Sequence, residues 1–143
     1  MGGTGWKDEI EEIHRRQQLA AEMGGRERVE RQRSRGKLTV RERIAALLDD
    51  GSFREWGSLA GEGQYDANGQ LTGFRASSCL TGRGEIDGRT VVVSADDFTI
   101  RGGSSETYHH EKNAQAEIMA AEYGLPPVRP LDGTGGGGAV AAI

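Results

Sequence analysis

Val91, Val92 and Val93 stand in an unbroken run just beyond the pair Asp87-Gly88. Successive side chains of a strand point to opposite faces, so β-branched residues without alternation belong to a strand covered on both sides. A chain carrying such a strand has to build a layer above it and another below. Asp87-Gly88 itself reads as a tight turn, because both central positions tolerate positive φ, and Cys79 to Ile86 and Thr90 to Ser94 read as the two arms of a hairpin around it.

The residues that follow supply one of those layers. Asp96 to Gly103 leads into a predicted helix, with Ser104 or Ser105 as cap, Glu106 at its positive end and Gly124 at its stop. Ala114, Ile118 and Ala121 share one side of it. After Leu125-Pro126-Pro127, Val128 to Leu131 reads as a second buried strand. Asp132, Gly133, Thr134 and Gly135 to Gly138 come next, and a new helix is expected from Ala139. Strand, helix, strand and nascent helix amount to a βαβ crossover, with the glycine run at the C-terminal end of a parallel strand. Open α/β sheets bind ligands at that edge.

The N-terminal part reads differently. Thr4 caps a first helix in which Trp6, Ile10, Ile13 and Ala20 recur at helical spacing, and Gly24-Gly25 ends it. A very polar helix is expected from Arg26 to about Ser34. Thr39 stands three residues before Glu42, a capping box, with Ile44, Ala45, Leu47 and Leu48 as the apolar stripe behind it. Phe53 to Leu59 reads as a strand, and Gly61 to Gly73 as a loop turning at Asn68-Gly69. The expected organisation is a helical segment over residues 1–51 and an α/β unit over 52–143.

Composition narrows the setting. Cys79 is the sole cysteine, so an internal disulfide is impossible and a reducing cytoplasm is the expected location. Mean hydropathy is −0.61 and no apolar run approaches the ~20 residues of a membrane span, nor is there a signal-peptide core. The net charge of −4 conceals a segment, Arg26 to Arg43, in which eight cationic residues face three acidic ones. That segment carries +5 and leaves −9 elsewhere, a pattern that suits a polyanionic ligand, an acidic partner face or a solvated helix.

The glycine run is the sharpest chemical feature. A backbone without Cβ atoms brings several N–H groups to one point, and a following helix adds its positive end, so the loop can hold a phosphate or stabilise an oxyanion. Gly133, Gly135 and Gly138 also satisfy the dinucleotide fingerprint, although a run of glycines fits almost any spacing. No Lys-Ser or Lys-Thr follows, which excludes a Walker-type loop. His109-His110-Glu111, with Glu106 a turn earlier, has the residue types of a metal site, but adjacent helical histidines point about 100° apart. Cys79 reads as a small core residue. Asp96-Asp97 fits either a general-base pair or a turn approaching the helix. No nucleophile, base and orienting group assemble, so any catalysis here is expected to use main-chain amides.

The string Gly36-Lys37-Leu38-Thr39-Val40-Arg41-Glu42-Arg43-Ile44, followed by Leu47-Leu48-Asp49-Asp50-Gly51-Ser52-Phe53, resembles the entry motif of the biotin-dependent acyl-CoA carboxyltransferase β-subunits, of the propionyl-CoA and methylcrotonyl-CoA carboxylase type. Gly82 to Arg89, Asp97 to Ser104 and Asp132 to Gly136 resemble further motifs of that family, in its order. The resemblance implies a partial crotonase-like fold of ββα units preceded by N-terminal helices. It implies transfer of a carboxyl group from carboxybiotin, on a separate carrier protein or domain, to the α carbon of an acyl-CoA. A biotin carboxylase or carrier subunit would be the protein partner, a homo-hexamer the assembly, and neither nucleic acid nor membrane a partner.

Carried over residue by residue, the resemblance puts Gly135-Gly136-Gly137 on the family's Gly-Gly-Ala loop, with the N–H groups of Gly136 and Gly137 as oxyanion donors. Arg101, Gly102, Gly103 and Ser104 lie where related folds meet coenzyme A, and Lys37 and Arg41 are further phosphate candidates. Gly137-Gly138 departs from the Ala-Arg of many members, which points to a less usual acyl group or subfamily. Family subunits are about three times as long, so the chain is expected to be an N-terminal piece, inactive alone, with Val91–Val93 and Val128–Leu131 partly wet. The alternative is a dinucleotide- or CoA-binding module that uses residues 133–138 without carboxyl transfer.

Overall fold

The computed structural model describes residues 5–104 and 107–133. Its elements run α1 (Lys7–Ala21), α2 (Arg26–Ser34), α3 (Val40–Leu47), β1 (Arg54–Trp56), β2 (Gly61–Tyr65), β3 (Leu71–Ala76), β4 (Cys79–Ile86), β5 (Arg89–Asp96), α4 (Thr107–Tyr123) and β6 (Pro127–Val128), with a 3-10 turn at Arg101–Gly103 before α4. The strands form a four-stranded sheet in the order β1-β4-β5-β6 and a separate two-stranded sheet, β2-β3.

The hairpin β4–β5 is as the sequence predicts. Asp87 and Gly88 adopt φ of 50° and 73°, and the ladder pairs Cys79 with Asp96 through Ile86 with Arg89. Asp49, which closes α3, also secures this turn: its carboxylate accepts the N–H of Asp87 at 2.9 Å and of Gly88 at 2.8 Å. On β5, Val91, Val93 and Ala95 pack under Val40, Ile44 and Leu48, while Val92 faces Ala116 and Ala120 of α4. The three valines are 4%, 1% and 0% exposed, so they are dry and not partly wet as expected. Both covering layers, α3 and α4, are already in place.

The second strand of the crossover is shorter than expected. β6 pairs parallel to β5 at Val92–Pro127 and Val93–Val128, and Asp96 N reaches Pro130 O at 3.2 Å. It lies at the sheet edge, Val128 is half-buried and Leu131 is 67% exposed. Prolines at 126, 127 and 130 carry no N–H, so the segment accepts from β5 without building a full ladder.

The capping box forms. Glu42 N donates to Thr39 Oγ1 at 3.3 Å and Thr39 N to Glu42 Oε2 at 2.7 Å. The buried face of α3 is Val40, Ile44 and Leu48, whereas Ala45 and Leu47 point outward. α4 also turns a different face inward: His109, Lys112, Ala116 and Ala120 are buried, and Ala114, Ile118 and Ala121 are exposed. The strand surface beneath it carries Cys79, Thr81, Ser94 and Asp96, all buried. Polar groups removed from water need polar partners, so His109 and Asn113 meet that surface and Ile118 does not. Cys79 Sγ lies 3.5 Å from Ser94 Oγ and 3.6 Å from Asn113 Oδ1, and burial pushes its thiol above the ordinary range.

Of residues 61–73, expected as a loop, 61–65 and 71–73 are strands, and 66–70 form the turn expected around Asn68-Gly69. β2 and β3 pair antiparallel, with the turn held by Asp66, whose carboxylate accepts the N–H of Asn68 at 2.8 Å and of Gln70 at 2.9 Å. These strands lack apolar alternation because much of the hairpin is solvent-exposed, so periodicity could not mark them. α1 packs beside β3. Tyr65 Oη donates to Glu12 Oε1 at 3.2 Å, and Arg16 contacts both. Facing a polar hairpin, α1 buries Ala20, and its stripe of Trp6, Ile10 and Ile13 is exposed. Thr4 lies outside the described residues; the observed N-cap is Trp6, with no side-chain cap bond. The strand expected over Phe53 to Leu59 is confined to β1, antiparallel to β4.

Two measurements test the cap. Thr39→Ala should cost about 1–2 kcal/mol in chemical denaturation, because the N3 amide loses its acceptor inside the core. The Glu42 carboxyl is drawn from 4.5 to about 2, first by the Thr39 N–H and then by Arg33. A depressed folded-state pKa stabilises the fold above the unfolded value and is lost as pH falls. The stability difference between wild type and Glu42→Gln should therefore be constant above pH 4.5 and shrink from there towards about 2; a difference flat across that window would show the cap to be electrostatically inert.

Candidate functional site

The parallel strands β5 and β6 end at Asp96 and Val128, and the chain leaving each one returns to the same place. After β5 it makes the turn Arg101–Gly103, where Arg101, Gly102 and Gly103 all have positive φ, of 51°, 65° and 67°. After β6 it reaches Asp132 and Gly133. A Cβ on Gly103 would stand 2.5 Å from Asp132 O and 3.2 Å from Gly133 Cα. Only glycine permits that approach, because both the backbone conformation and the space forbid a side chain. Ser78 Oγ donates to Ser104 O at 2.9 Å and fixes the far side of the turn.

Asp132 is the anchor for the entry to the glycine run. Its carboxylate accepts from Gln32 Nε2 at 2.9 Å and Lys37 Nζ at 3.2 Å, with Arg43 Nη2 at 3.8 Å. Its own N–H donates to Asp96 Oδ2 at 3.3 Å. Arg43 also donates to Asp96 O at 2.6 Å and Leu131 O at 3.3 Å. Side chains of α2, the α2–α3 connection, α3 and β5 thus hold one short stretch of main chain.

An open cavity of about 560 Å³ adjoins this point, lined by Gly103, Ser104, Gly133, Asp96, His109 and Arg129 among others. His109 Nε2 lies 3.3 Å from Asp96 Oδ1, both buried. Asp97 faces elsewhere. Its Oδ1 accepts from Thr99 N at 2.9 Å and Thr99 Oγ1 at 2.6 Å, and burial pushes its carboxyl up against those bonds and the Arg41 and Arg43 charges. Asp96 and Asp97 are therefore not a pair at one site. Asp97 instead ties the turn to the N-terminal helices, because Thr99 Oγ1 accepts from Gly24 N at 2.9 Å.

The structure brings Gly103, Ser104 and Gly133 together at the cavity and sets Lys37, Arg41, Arg101 and Gly102 apart from it. Lys37 is engaged with Asp132 and lies 5.0 Å from the Phe98 ring centroid. Arg41 forms a two-point ion pair with Glu55, at 2.9 and 3.3 Å. Arg101 and Gly102 open on the opposite side of the turn, towards Arg28 and Arg35. Gly135, Gly136 and Gly137, with Gly138, lie outside the described residues. Among the described residues no cluster of His, Cys, Asp or Glu could hold a metal ion, and no helix is long and apolar enough to cross a membrane. Sequence reasoning missed the structural parts of Asp132, Arg43 and Asp96; the one available signal was the placing of Asp132 directly before the glycine run.

The fold recurs in known proteins. Residues 31–142 match the carboxyl transferase domain. The propionyl-CoA carboxylase beta chain of Cereibacter sphaeroides is 40% identical over 130 residues, which is 91% of this chain and 25% of the relative. The carboxyltransferase subunit of propionyl-CoA carboxylase from Haloferax mediterranei is 37% identical over 129 residues, 90% of this chain and 25% of the relative. The chain thus spans about a quarter of the length of these relatives. Among solved structures, the 12S transcarboxylase, a hexamer with methylmalonyl-CoA bound, superposes with a TM-score of 0.76 at 32% identity, over 93% of this chain and 26% of the other. The mixed α/β architecture is accordingly that of part of a crotonase-like carboxyltransferase, and the chain belongs to the carboxyl transferase domain family.

Proposed function

We propose that this chain forms the acyl-CoA side of a biotin-dependent carboxyl transfer, in which the α carbon of an acyl-CoA receives the carboxyl group borne by carboxybiotin. The observation that carries the reading is the contact of Gly103 with Asp132 and Gly133, which joins two separate glycine segments at the C-terminal ends of parallel strands. Ligands bind open α/β sheets at that edge. In a chain of this family the ligand is a coenzyme A thioester. Biotin, brought by a carrier subunit or domain, supplies the carboxyl group.

The chain's own contribution is main-chain electrostatics. Gly136 and Gly137 offer N–H groups to the thioester oxygen as negative charge develops on it, each such donor contributing ~2.7–4 kcal/mol. Gly135 is assigned to the same substrate-binding segment by the family resemblance. Gly103 and Ser104 line the substrate path, and Gly102 and Arg101 continue it. Lys37 acts through Asp132, fixing where the glycine run begins, and Arg41 acts through Glu55, fixing α3 against β1. Residues 1–51 form the helical support and 52–143 the substrate-binding part. A biotin carboxylase and its carrier are the partners, a homo-oligomer such as the 12S hexamer is the assembly, and the cytoplasm is the setting.

Gly103→Ala tests this directly. An added methyl would press on Asp132 O and shift the loop by a substantial fraction of an ångström, so carboxylation of acyl-CoA should fall by about 100-fold. Gly88→Ala imposes the same backbone strain in open space, with nothing within 4 Å, and should leave the rate alone. Its cost is confined to about 1 kcal/mol of stability. Equal rates for the two variants, measured with the same substitutions placed in a full-length carboxyltransferase subunit of this family with biotin carboxylase and carrier supplied, would remove the junction from the mechanism.

A further inference from the structure

Asp96 closes β5 at the point where α3, α4 and the chain leaving β6 come together. Its main-chain N–H reaches Pro130 O at 3.2 Å, and its carbonyl accepts from Arg43 Nη2 at 2.6 Å. Its buried carboxylate is divided between two further segments. Oδ2 accepts the N–H of Asp132 at 3.3 Å, and Oδ1 lies 3.3 Å from Nε2 of the equally buried His109. A line of contacts therefore runs from the first turn of α4, through the end of β5, to the main chain that enters the glycine run.

Packing alone does not call for a histidine at this position. Two turns further along α4 the same inward face is Ala116 and Ala120 against Val92, so an apolar residue could fill the layer here as well. What the ring adds is direction. The terminal torsion of an aspartate is broad, so a carboxylate held at one oxygen still turns, whereas one held at both does not. With Oδ1 fixed by His109, Oδ2 stays aimed at the Asp132 N–H. That N–H belongs to a planar peptide unit, so its direction sets the direction of the chain that follows. The Asp132 side chain is gripped separately, by Gln32, Lys37 and Arg43. One clamp locates the residue and the other orients its peptide.

We infer that His109 is a positioning residue for the transfer: through Asp96 it orients the Asp132 peptide, and with it the glycine run beyond. It touches no reacting atom. Its place in catalysis rests on the acyl-CoA reading above, whereas its hold on Asp132 rests on the contacts among these three residues alone.

Exchange of single amides with solvent, followed by NMR on the purified full chain, separates this role from general support of the core. His109→Leu removes the donor, His109→Asn carries an amide one methylene too short to reach Asp96, and His109→Gln returns an N–H donor to the place of Nε2. The Asp132 amide should exchange about tenfold faster in the Leu and Asn variants and near the wild-type rate in His109→Gln. The amide of Val93, which pairs with Gly82 in mid-ladder, should keep its rate in all three. Placed in a full-length carboxyltransferase subunit of this family, with biotin carboxylase and carrier supplied, His109→Asn should lower kcat about tenfold at constant KM for acyl-CoA, and His109→Gln should restore most of the loss. An Asp132 amide indifferent to His109→Asn overturns the inference. So does acceleration of Asp132 and Val93 together, loss of the fold included, or a His109→Gln variant that rescues nothing. An unchanged kcat overturns the part in transfer. The exchange data need no substrate, so if they hold while the wild-type subunit does not carboxylate acyl-CoA, the acyl-CoA reading falls and the hold of His109 on Asp132 stands.

Discussion

The structure depends on β5 being covered on both faces. Each valine of its run needs a partner layer, and the layers are unlike: aliphatic side chains of α3 on one side, a largely polar surface of α4 on the other. Burying a Val side chain contributes about 1.5–3 kcal/mol, so leaving either face open would cost the fold much of its small margin. This requirement fixes where α3 and α4 lie, and with them the two chain segments that meet beyond Asp96. The site is therefore a consequence of how one strand is enclosed.

Polar contacts then turn that placement into a defined geometry. Hydrophobic burial is non-directional and tolerates sliding, whereas the bonds from Gln32, Lys37 and Arg43 to Asp132 do not. The same division appears beneath α4, where Cys79, Ser94, Asn113, His109 and Asp96 form a buried polar layer between aliphatic contacts at Val92 and Ala116. Buried networks of this kind are costly if half satisfied and rigid when complete. Rigidity suits the proposed backbone N–H donors, because main-chain groups have no rotamers with which to compensate for a displaced loop.

Much of the fold was legible in particular residues. Thr39 and Glu42 announce their helix because a capping box is a local reciprocal bond, and Asp87-Gly88 announces its hairpin because few residues accept two positive φ values in succession. The polar helix from Arg26 to Ser34 was readable from its flanking glycines. The β2–β3 hairpin was not, since its strands are held by backbone pairing and by Asp66 rather than by an apolar face. The inward face of α4 was misread for a related reason: Ala114, Ile118 and Ala121 look like a core stripe only if the surface beneath is apolar, and it carries Ser94 and Asp96.

The sequence by itself determined the local elements, the two-sided burial of Val91–Val93 and the family, because caps, turns and hydrophobic runs act over a few residues and motif order survives as text. Only the tertiary structure decided which charges are spent on the protein and which face outward. Lys37 and Arg41 looked equivalent to Arg101 along the chain, yet one is bound to Asp132, another to Glu55, and Arg101 turns towards Arg28 and Arg35. Electrostatic pairing depends on distance in space, and residues 95 and more positions apart reach each other only after the sheet and its two layers have closed.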